Sequence, residues 1–217
     1  MTICPGCGEA YERVASHWAH SGCGYPEISA EQRAVLDGLM LGGANIDGHG
    51  SNRHLLASTT AGGLAEWTAE RLGWLHHRTR VVHSDSRDHE DVYRVRTSAH
   101  PAINRYEWWG DGDGRAPPTD YELSPLAGRV WWAYAGGLEW HGEYDSQRTA
   151  TISALDDDRA AWVRRVLATA SVDATRAGKR VQWHGEQLLE WLAWIGNAAP
   201  GAEHKWADTQ ATYQRRR

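Results

Sequence analysis

The sequence predicts an α+β protein in which a small metal-binding knuckle precedes two copies of an αββαββα repeat. Three observations carry this. All three cysteines fall within the first 23 residues with histidines between them, the same order of helical and strand-like stretches runs twice, and a Gly/Pro/Asp-rich stretch from Gly112 to Thr119 separates the two runs. The expected domains are therefore residues 1–28 for the knuckle and 29–217 for the body. Within the body, repeat one covers about 29–110, a linker about 111–119, repeat two about 120–206 and a tail 207–217.

The knuckle is Cys4-Pro5-Gly6-Cys7 followed by Cys23, with His17 and His20 between. A CxxC turn aims two thiolates at one point, and an odd cysteine needs a histidine to complete a tetrahedral zinc site. A short helix from Glu12 to His20 would bring His17 near its C-terminal end, with Cys23 in the next turn. His17 is the expected fourth ligand and His20 the alternative. So short a segment has no core of its own and folds only if stapled, so the zinc is expected to be structural.

Repeat one opens with Ser29 and Gln32, which form a capping box, and Val35, Leu36, Leu39 and Met40 then recur at helical spacing. Gly38 and Gly42 lie four apart on this helix, which allows another helix to come close. Strands follow near Ala44–Asp47 and Arg53–Thr60, then a helix from about Leu64 to Leu72. Two more strands near Arg78–His83 and Val92–Ser98 lead to a helix containing Ile103, Tyr106 and Trp109. Repeat two begins where Ser124 caps a helix with Pro125 at its first position, a favoured place for proline. This helix runs through Leu126, Val130, Trp131 and Tyr134 to Gly136. Strands near Leu138–His141 and Arg148–Ser153 come next, then a helix opened by Asp156–Asp158, strands near Val172–Arg176 and Lys179–His184, and a helix with Leu188, Leu189, Leu192 and Ile195. Trp67, Trp162, Trp191 and Trp194 sit among apolar helix neighbours and are expected to pack against the backs of the sheets.

A hydrophobic content of 41% suits an ordinary globular core, and no run approaches the about 18 apolar residues of a membrane helix. A soluble intracellular protein, cytoplasmic or associated with the nucleoid, and monomeric, is expected. Thirteen tryptophans with no phenylalanine, and arginine far above the two lysines, reflect a G+C codon bias more simply than a function. The net charge of −5 weighs against nucleic-acid binding in the sum, but local patches decide that question.

Two motifs carry a resemblance. Leu36-Asp37-Gly38-Leu39-Met40-Leu41-Gly42-Gly43-Ala44-Asn45-Ile46 is similar to LxGLxLGDGxI, and Leu123 to Leu138 is similar to LTPLALAYWYMDDGSL. Tyr93 to Pro101 resembles YRLRTRSHP, and Pro200-Gly201-Ala202-Glu203-His204-Lys205-Trp206 resembles P-G-x-x-x-K-W. In this order, over nearly all of 29–206, they mark a resemblance to the two-motif, single-chain LAGLIDADG homing endonucleases. The resemblance implies two motif helices side by side at a pseudo-two-fold axis and two curved sheets forming a saddle in the major groove of double-stranded DNA. It also implies cleavage of both strands with Mg²⁺ held by one aspartate at the end of each motif helix.

The aspartate positions fall on Gly43 and Ala135, which offer no side-chain ligand. The resemblance therefore points to a sequence-specific DNA-binding protein that no longer cleaves, with no intact catalytic acid and Mg²⁺ needed only if activity persists. Asp47 and Glu139, at equivalent places in the two repeats, are the substitutes in the alternative reading of an active endonuclease. Lys205 matches a basic residue that the family places near its cleavage centre. A second alternative is an intron maturase that binds intron RNA, and a third is an adaptor whose knuckle binds protein. With no His-Asn junction at Gln214-Arg215-Arg216-Arg217, a free-standing protein is expected rather than an intein. Strand alternation nominates the DNA contacts: Arg78 with Arg80, Arg94 with Arg96, and Arg180, Gln182 and His184, with Arg53 and Arg148 at matching strand starts. Arginine suits guanine edges and glutamine adenine edges.

Overall fold

The computed structural model describes residues 1–48, 53–83, 90–109, 116–140 and 148–206. Residues 111–115 of the expected linker, His141 of an expected strand and the whole tail lie outside the described residues. The chain divides into two compact units, Met1–Trp108 and Trp109–Arg217.

Unit one starts with a two-stranded ribbon, β1 (Thr2–Ile3) and β2 (Ala10–Tyr11), and the short helix α1 (Val14–His20). The body begins at α2 (Ala30–Leu41), whose capping box forms as the sequence predicts. Ser29 Oγ accepts from the Gln32 N–H at 3.0 Å, and Gln32 Oε1 accepts from the Ser29 N–H at 2.9 Å. The Gln32 amide also donates to the Leu72 carbonyl at 2.7 Å, which ties α2 to the end of α3. Then come β3 (Asn45–Asp47), β4 (His54–Thr59), α3 (Gly62–Leu72), a 3₁₀ turn (Gly73–Leu75), β5 (His76–Val82) and β6 (Val92–Thr97). The expected last helix is a short α4 (Pro101–Asn104) continued by a 3₁₀ turn (Arg105–Trp108), from which Tyr106 donates to Asp37 on α2 at 2.5 Å.

Unit two holds α5 (Pro125–Ala135), β7 (Gly136–Trp140), β8 (Arg148–Ser153), α6 (Asp157–Thr169), β9 (Thr175–Ala177), β10 (Arg180–His184), α7 (Glu186–Ile195) and a 3₁₀ turn (Glu203–Lys205). Ser124 caps α5 through the Ala127 N–H, with Pro125 at its first position, and Asp156 caps α6 through the Arg159 N–H at 2.6 Å. Both units carry an antiparallel four-stranded sheet in corresponding order, β3-β4-β6-β5 in one and β7-β8-β10-β9 in the other.

Each sheet buries one face. In unit one Leu55, Ala57 and Val95 point to the core with Leu64, Ala65 and Leu72 of α3. In unit two Ala150, Ile152, Val181 and Trp183 do so, against Val163, Val166, Trp191 and Ile195. Trp67, Trp162 and Trp191 are buried and Trp194 is half-buried. Gly128 lets α7 approach α5: a Cβ there would stand 3.0 Å from Ile195, Trp191 and Trp194.

Candidate nucleic-acid interface and metal centre

The register of the first sheet sets Arg78 directly opposite Arg96 and Arg80 directly opposite Arg94 on β5 and β6. A bulge between His76 and Arg78 sets this alignment. All four side chains rise from the face opposite Leu55, Ala57 and Val95. Like charges facing each other across a strand pair destabilise a sheet. The Arg78 guanidinium is accordingly pushed below its ordinary range, first by Arg80, then by desolvation and Arg96. Among the described residues no carboxylate lies within ion-pair reach of these four arginines. Arg96 instead approaches His54 Nδ1 at 3.4 Å, and His54 Nε2 faces Asp47 at 3.4 Å. That chain implies a neutral His54 with its proton on Nε2, and burial together with Arg96 lowers its pKa.

The second sheet presents a less cationic face. Arg180, Gln182 and His184 share it with Ser153, Thr151 and Thr149 opposite them, and with Glu139 on β7. Arg180, His184 and Ser153 are exposed, Gln182 is half-buried, and Thr149 and Thr151 are buried. Arg180 is ion-paired to Glu139. Arg53 and Arg148 do not join either face. Arg148 has the parity of Ala150 and Ile152, on the core side, and is 6% exposed. Arg53 precedes β4 with the parity of Leu55 and pairs with Glu107 at 2.6 Å. In both repeats the arginine at the start of the second strand thus sits on the core-facing side.

The ends of the motif helices differ. At Gly43, just past α2, φ is +91° and a Cβ would meet nothing within 4 Å. Ala135 is the last residue of α5, and a Cβ on the following Gly136 would run into the Trp132 ring and carbonyl. Ala135 lines an open concavity of about 350 Å³ with Glu139, Thr151, Ser153 and Arg180. Lys205 Nζ donates to the Ala133 carbonyl at 2.6 Å and approaches that of Trp132 at 3.3 Å, capping the C-terminus of α5; burial lowers its pKa to about 8. Asp47 accepts from the Gly48 N–H at 2.7 Å and faces His54, so both it and Glu139 are already engaged.

At the N-terminus the ligand atoms of Cys4, Cys7, His17 and Cys23 all lie within 4.8 Å of one another. A tetrahedron with zinc–sulfur bonds of about 2.3 Å has edges of roughly 3.8 Å, so the four can close on one ion with little movement. Cys7 Sγ is already 3.5 Å from His17 Nε2. His20 turns away, its Nδ1 at 2.9 Å from the Ser16 carbonyl. Burial raises the pKa of the Cys4 thiol, but N–H groups of Cys7, Trp18 and Gly6 around the sulfur outweigh it and bring the value to about 6, which favours the thiolate a metal needs. Two residues that the ligand spacing did not reveal support the set. Tyr11 stacks on His17, ring centroids 3.9 Å apart, and its hydroxyl lies 3.7 Å from Cys7 Sγ. Trp18 is buried against Cys4 and Val14. The local signal for Trp18 was there: it falls four residues after Val14, on the same side of a helix.

A twice-repeated αββαββα chain with an exposed polar face on each sheet has the fold of the LAGLIDADG homing endonucleases. The homing endonuclease I-WcaI, solved bound to its DNA recognition sequence, is similar over 93% of this chain and 95% of its own, with a TM-score of 0.71 and 11% sequence identity. Full-length DUF199/WhiA from Thermatoga maritima is also similar, at a TM-score of 0.51 and 11% identity, over 93% of this chain and 66% of its own. No protein-family model matches the sequence, and no curated protein matches it. Among the described residues no helix is long and apolar enough to cross a membrane.

Proposed function

We propose that the protein binds double-stranded DNA at a specific sequence without cutting it, and that a structural zinc ion fills the Cys4, Cys7, His17 and Cys23 site. The observation that carries the DNA reading is the arginine quartet, Arg78 opposite Arg96 and Arg80 opposite Arg94, with no acidic partner among the described residues. A free protein gains nothing from such repulsion, whereas a polyanion relieves it by accepting all four charges. Arginine also makes the commonest base-specific contact, a fork to guanine O6 and N7. Arg180, Gln182 and His184 supply the corresponding donors on the second sheet. The likeness to I-WcaI supports the same use of the fold.

The non-cutting reading rests on Gly43 and Ala135. Mg²⁺ takes hard oxygen ligands, usually including carboxylates, and neither residue has a side chain that supplies one. Asp47 and Glu139, the acids of the active alternative, are held by His54 and Arg180. The domain limits 1–28 and 29–217, a monomeric state and an intracellular, nucleoid-associated location remain part of the same proposal.

The test is selection from a randomised duplex library with zinc-loaded protein and Mg²⁺ or Mn²⁺, read for both binding and cleavage, with intron RNA as competitor. Selection of one duplex with no strand breaks supports the proposal. Breaks that vanish in Asp47→Asn or Glu139→Gln would establish the active alternative, and displacement by RNA the maturase.

A further inference from the structure

The metal-binding segment is not a bead on a string. Trp18 sits 1% exposed at a joint between two layers. On one side it packs on Cys4 and Val14. On the other it meets Trp74, His100 and Tyr25, with ring centroids 5.2, 5.9 and 6.1 Å away. His100 also meets Trp74 at 5.6 Å and Tyr25 at 5.4 Å, so the rings form one closed aromatic cluster.

The place of that cluster gives it a consequence. Trp74 lies in the 3₁₀ turn that runs directly into β5, and His100 stands just beyond the end of β6. The Ser98 N–H donates to the Leu75 carbonyl at 2.7 Å, closing the root of the β5–β6 ribbon between those two rings. His100 Nδ1 accepts from the Ala102 N–H at 3.2 Å, so Nε2 carries the proton that it donates to the Pro26 carbonyl at 2.9 Å. The ring therefore fastens the link that follows the metal ligands to the exit of β6. This ribbon is the one that carries Arg78, Arg80, Arg94 and Arg96.

We infer that metal binding at Cys4, Cys7, His17 and Cys23 sets the position of the arginine ribbon through Trp18, so that metal and DNA affinities are positively linked. The inference rests on the zinc and DNA readings above but is testable apart from the second. The segment's own core is little more than Cys4, Val14 and Trp18, too small to hold Trp18 in place once the metal leaves. Loss of the metal then frees one wall of the aromatic cluster and loosens both strands at their root. Because linkage is reciprocal, the selected duplex must tighten zinc binding by the same factor by which zinc tightens duplex binding, and couplings of this kind run to about 5–150-fold.

The experiment uses the full chain, zinc-loaded and after chelation, beside two variants that keep all four ligands, Trp18→Ala and Trp74→Leu. Zinc content is measured, and amide exchange is followed by mass spectrometry in peptides covering 74–82, 92–100 and, as control, α7. We expect chelation to speed exchange in the first two segments and leave α7 unchanged. Trp74→Leu, which lies outside the ligand segment, should bind one zinc yet show the same loosening and at least fivefold weaker duplex binding, while Trp18→Ala should loosen the same peptides even in the fraction that retains zinc. Unchanged exchange across 74–82 and 92–100 after chelation would overturn the inference, whatever the protein does with DNA. If wild type binds no duplex, the DNA reading fails while the exchange result still decides the coupling.

Discussion

Neutralising one facing pair of the quartet, Arg80→Gln with Arg94→Gln, separates a binding surface from a merely solvated one, because only a binding surface loses DNA affinity while the free protein keeps its stability. The two residues are register partners on β5 and β6, both exposed, with no carboxylate partner among the described residues. Removing them from the free protein relieves like-charge repulsion and breaks no ion pair, so the thermal midpoint should hold or rise. DNA binding should move the other way. If both side chains contact phosphate, the slope of log K against log salt falls by roughly 0.9 per lost contact, or about 1.8 for the pair. If either forks onto a guanine, about 1–3 kcal/mol is lost at that base and the selected sequence relaxes there. The assay is fluorescence anisotropy of the selected duplex at several salt concentrations, with scanning calorimetry of the free protein. Arg71→Gln is the control, since Arg71 lies on α3 and pairs with Glu31. A double variant that binds DNA with wild-type affinity and salt slope, or one no weaker than the Arg71 control, would refute the assignment of this face.

Four further outcomes follow from the geometry. In the library selection, the half-site read by unit one should be richer in guanine than the half read by unit two, whose exposed face carries one ion-paired arginine with Gln182 and His184; an even guanine content would contradict the asymmetry. Tyr11→Phe should weaken zinc affinity by about 10-fold or more while leaving the cysteines in place, because support of a ligating side chain is worth that much; a chelator competition measures it. Lys205 should titrate near pH 8, which ¹³C-methyl labelling of the two lysines reads directly. Its folded value lies below the ordinary 10.5, so the unfolded chain holds the extra proton between about pH 8 and 10.5; stability should rise with pH across that window, and Lys205→Met should remove the rise. Gly128→Val should lower stability measurably in urea, since even a Cβ is crowded at 3.0 Å by three side chains of α7.

Much of the fold was written locally. Ser29 with Gln32, Ser124 with Pro125, and Asp156 mark helix starts by chemistry that acts over three residues, so α2, α5 and α6 begin where the sequence predicts. Strand ends shifted by one to three residues because pairing, not composition, sets them, and the stretch expected from Val172 pairs only over Thr175–Ala177. The arginine quartet was half legible. Alternation puts Arg94 with Arg96 and Arg78 with Arg80, but their facing alignment depends on the bulge at His76, a tertiary feature. Arg148 shows the reverse: strand alternation alone gives it the parity of Ala150 and Ile152, on the core side, whereas its matching position in the repeat points to the exposed face. The choice between His17 and His20 was not legible from spacing. The structure brings His17 to the three cysteines with Tyr11 stacked on it, while His20 turns to the Ser16 carbonyl.

An aspartate at Gly43 or at Ala135, the two positions that the resemblance assigns to metal-binding acids, meets different surroundings. At Gly43 there is room but the backbone is wrong: φ of +91° costs an aspartate roughly 1–3 kcal/mol, paid in fold stability rather than in a clash. At Ala135 the backbone is helical and the surroundings are charged: the concavity also holds Glu139, ion-paired to Arg180, and Lys179. Glu139 raises the pKa of a new carboxylate there and the two cations lower it, so Ala135→Asp combined with Glu139→Gln should titrate lower than Ala135→Asp alone. Gly43→Asp should lower the urea midpoint with no such pH signature. If strand breaks appear with Gly43→Asp, Ala135→Asp and Glu139→Gln combined but not with the first two alone, the Glu139–Arg180 pair has taken over the charge that a metal once balanced. If the first two suffice, only the two acids separate this protein from a nuclease.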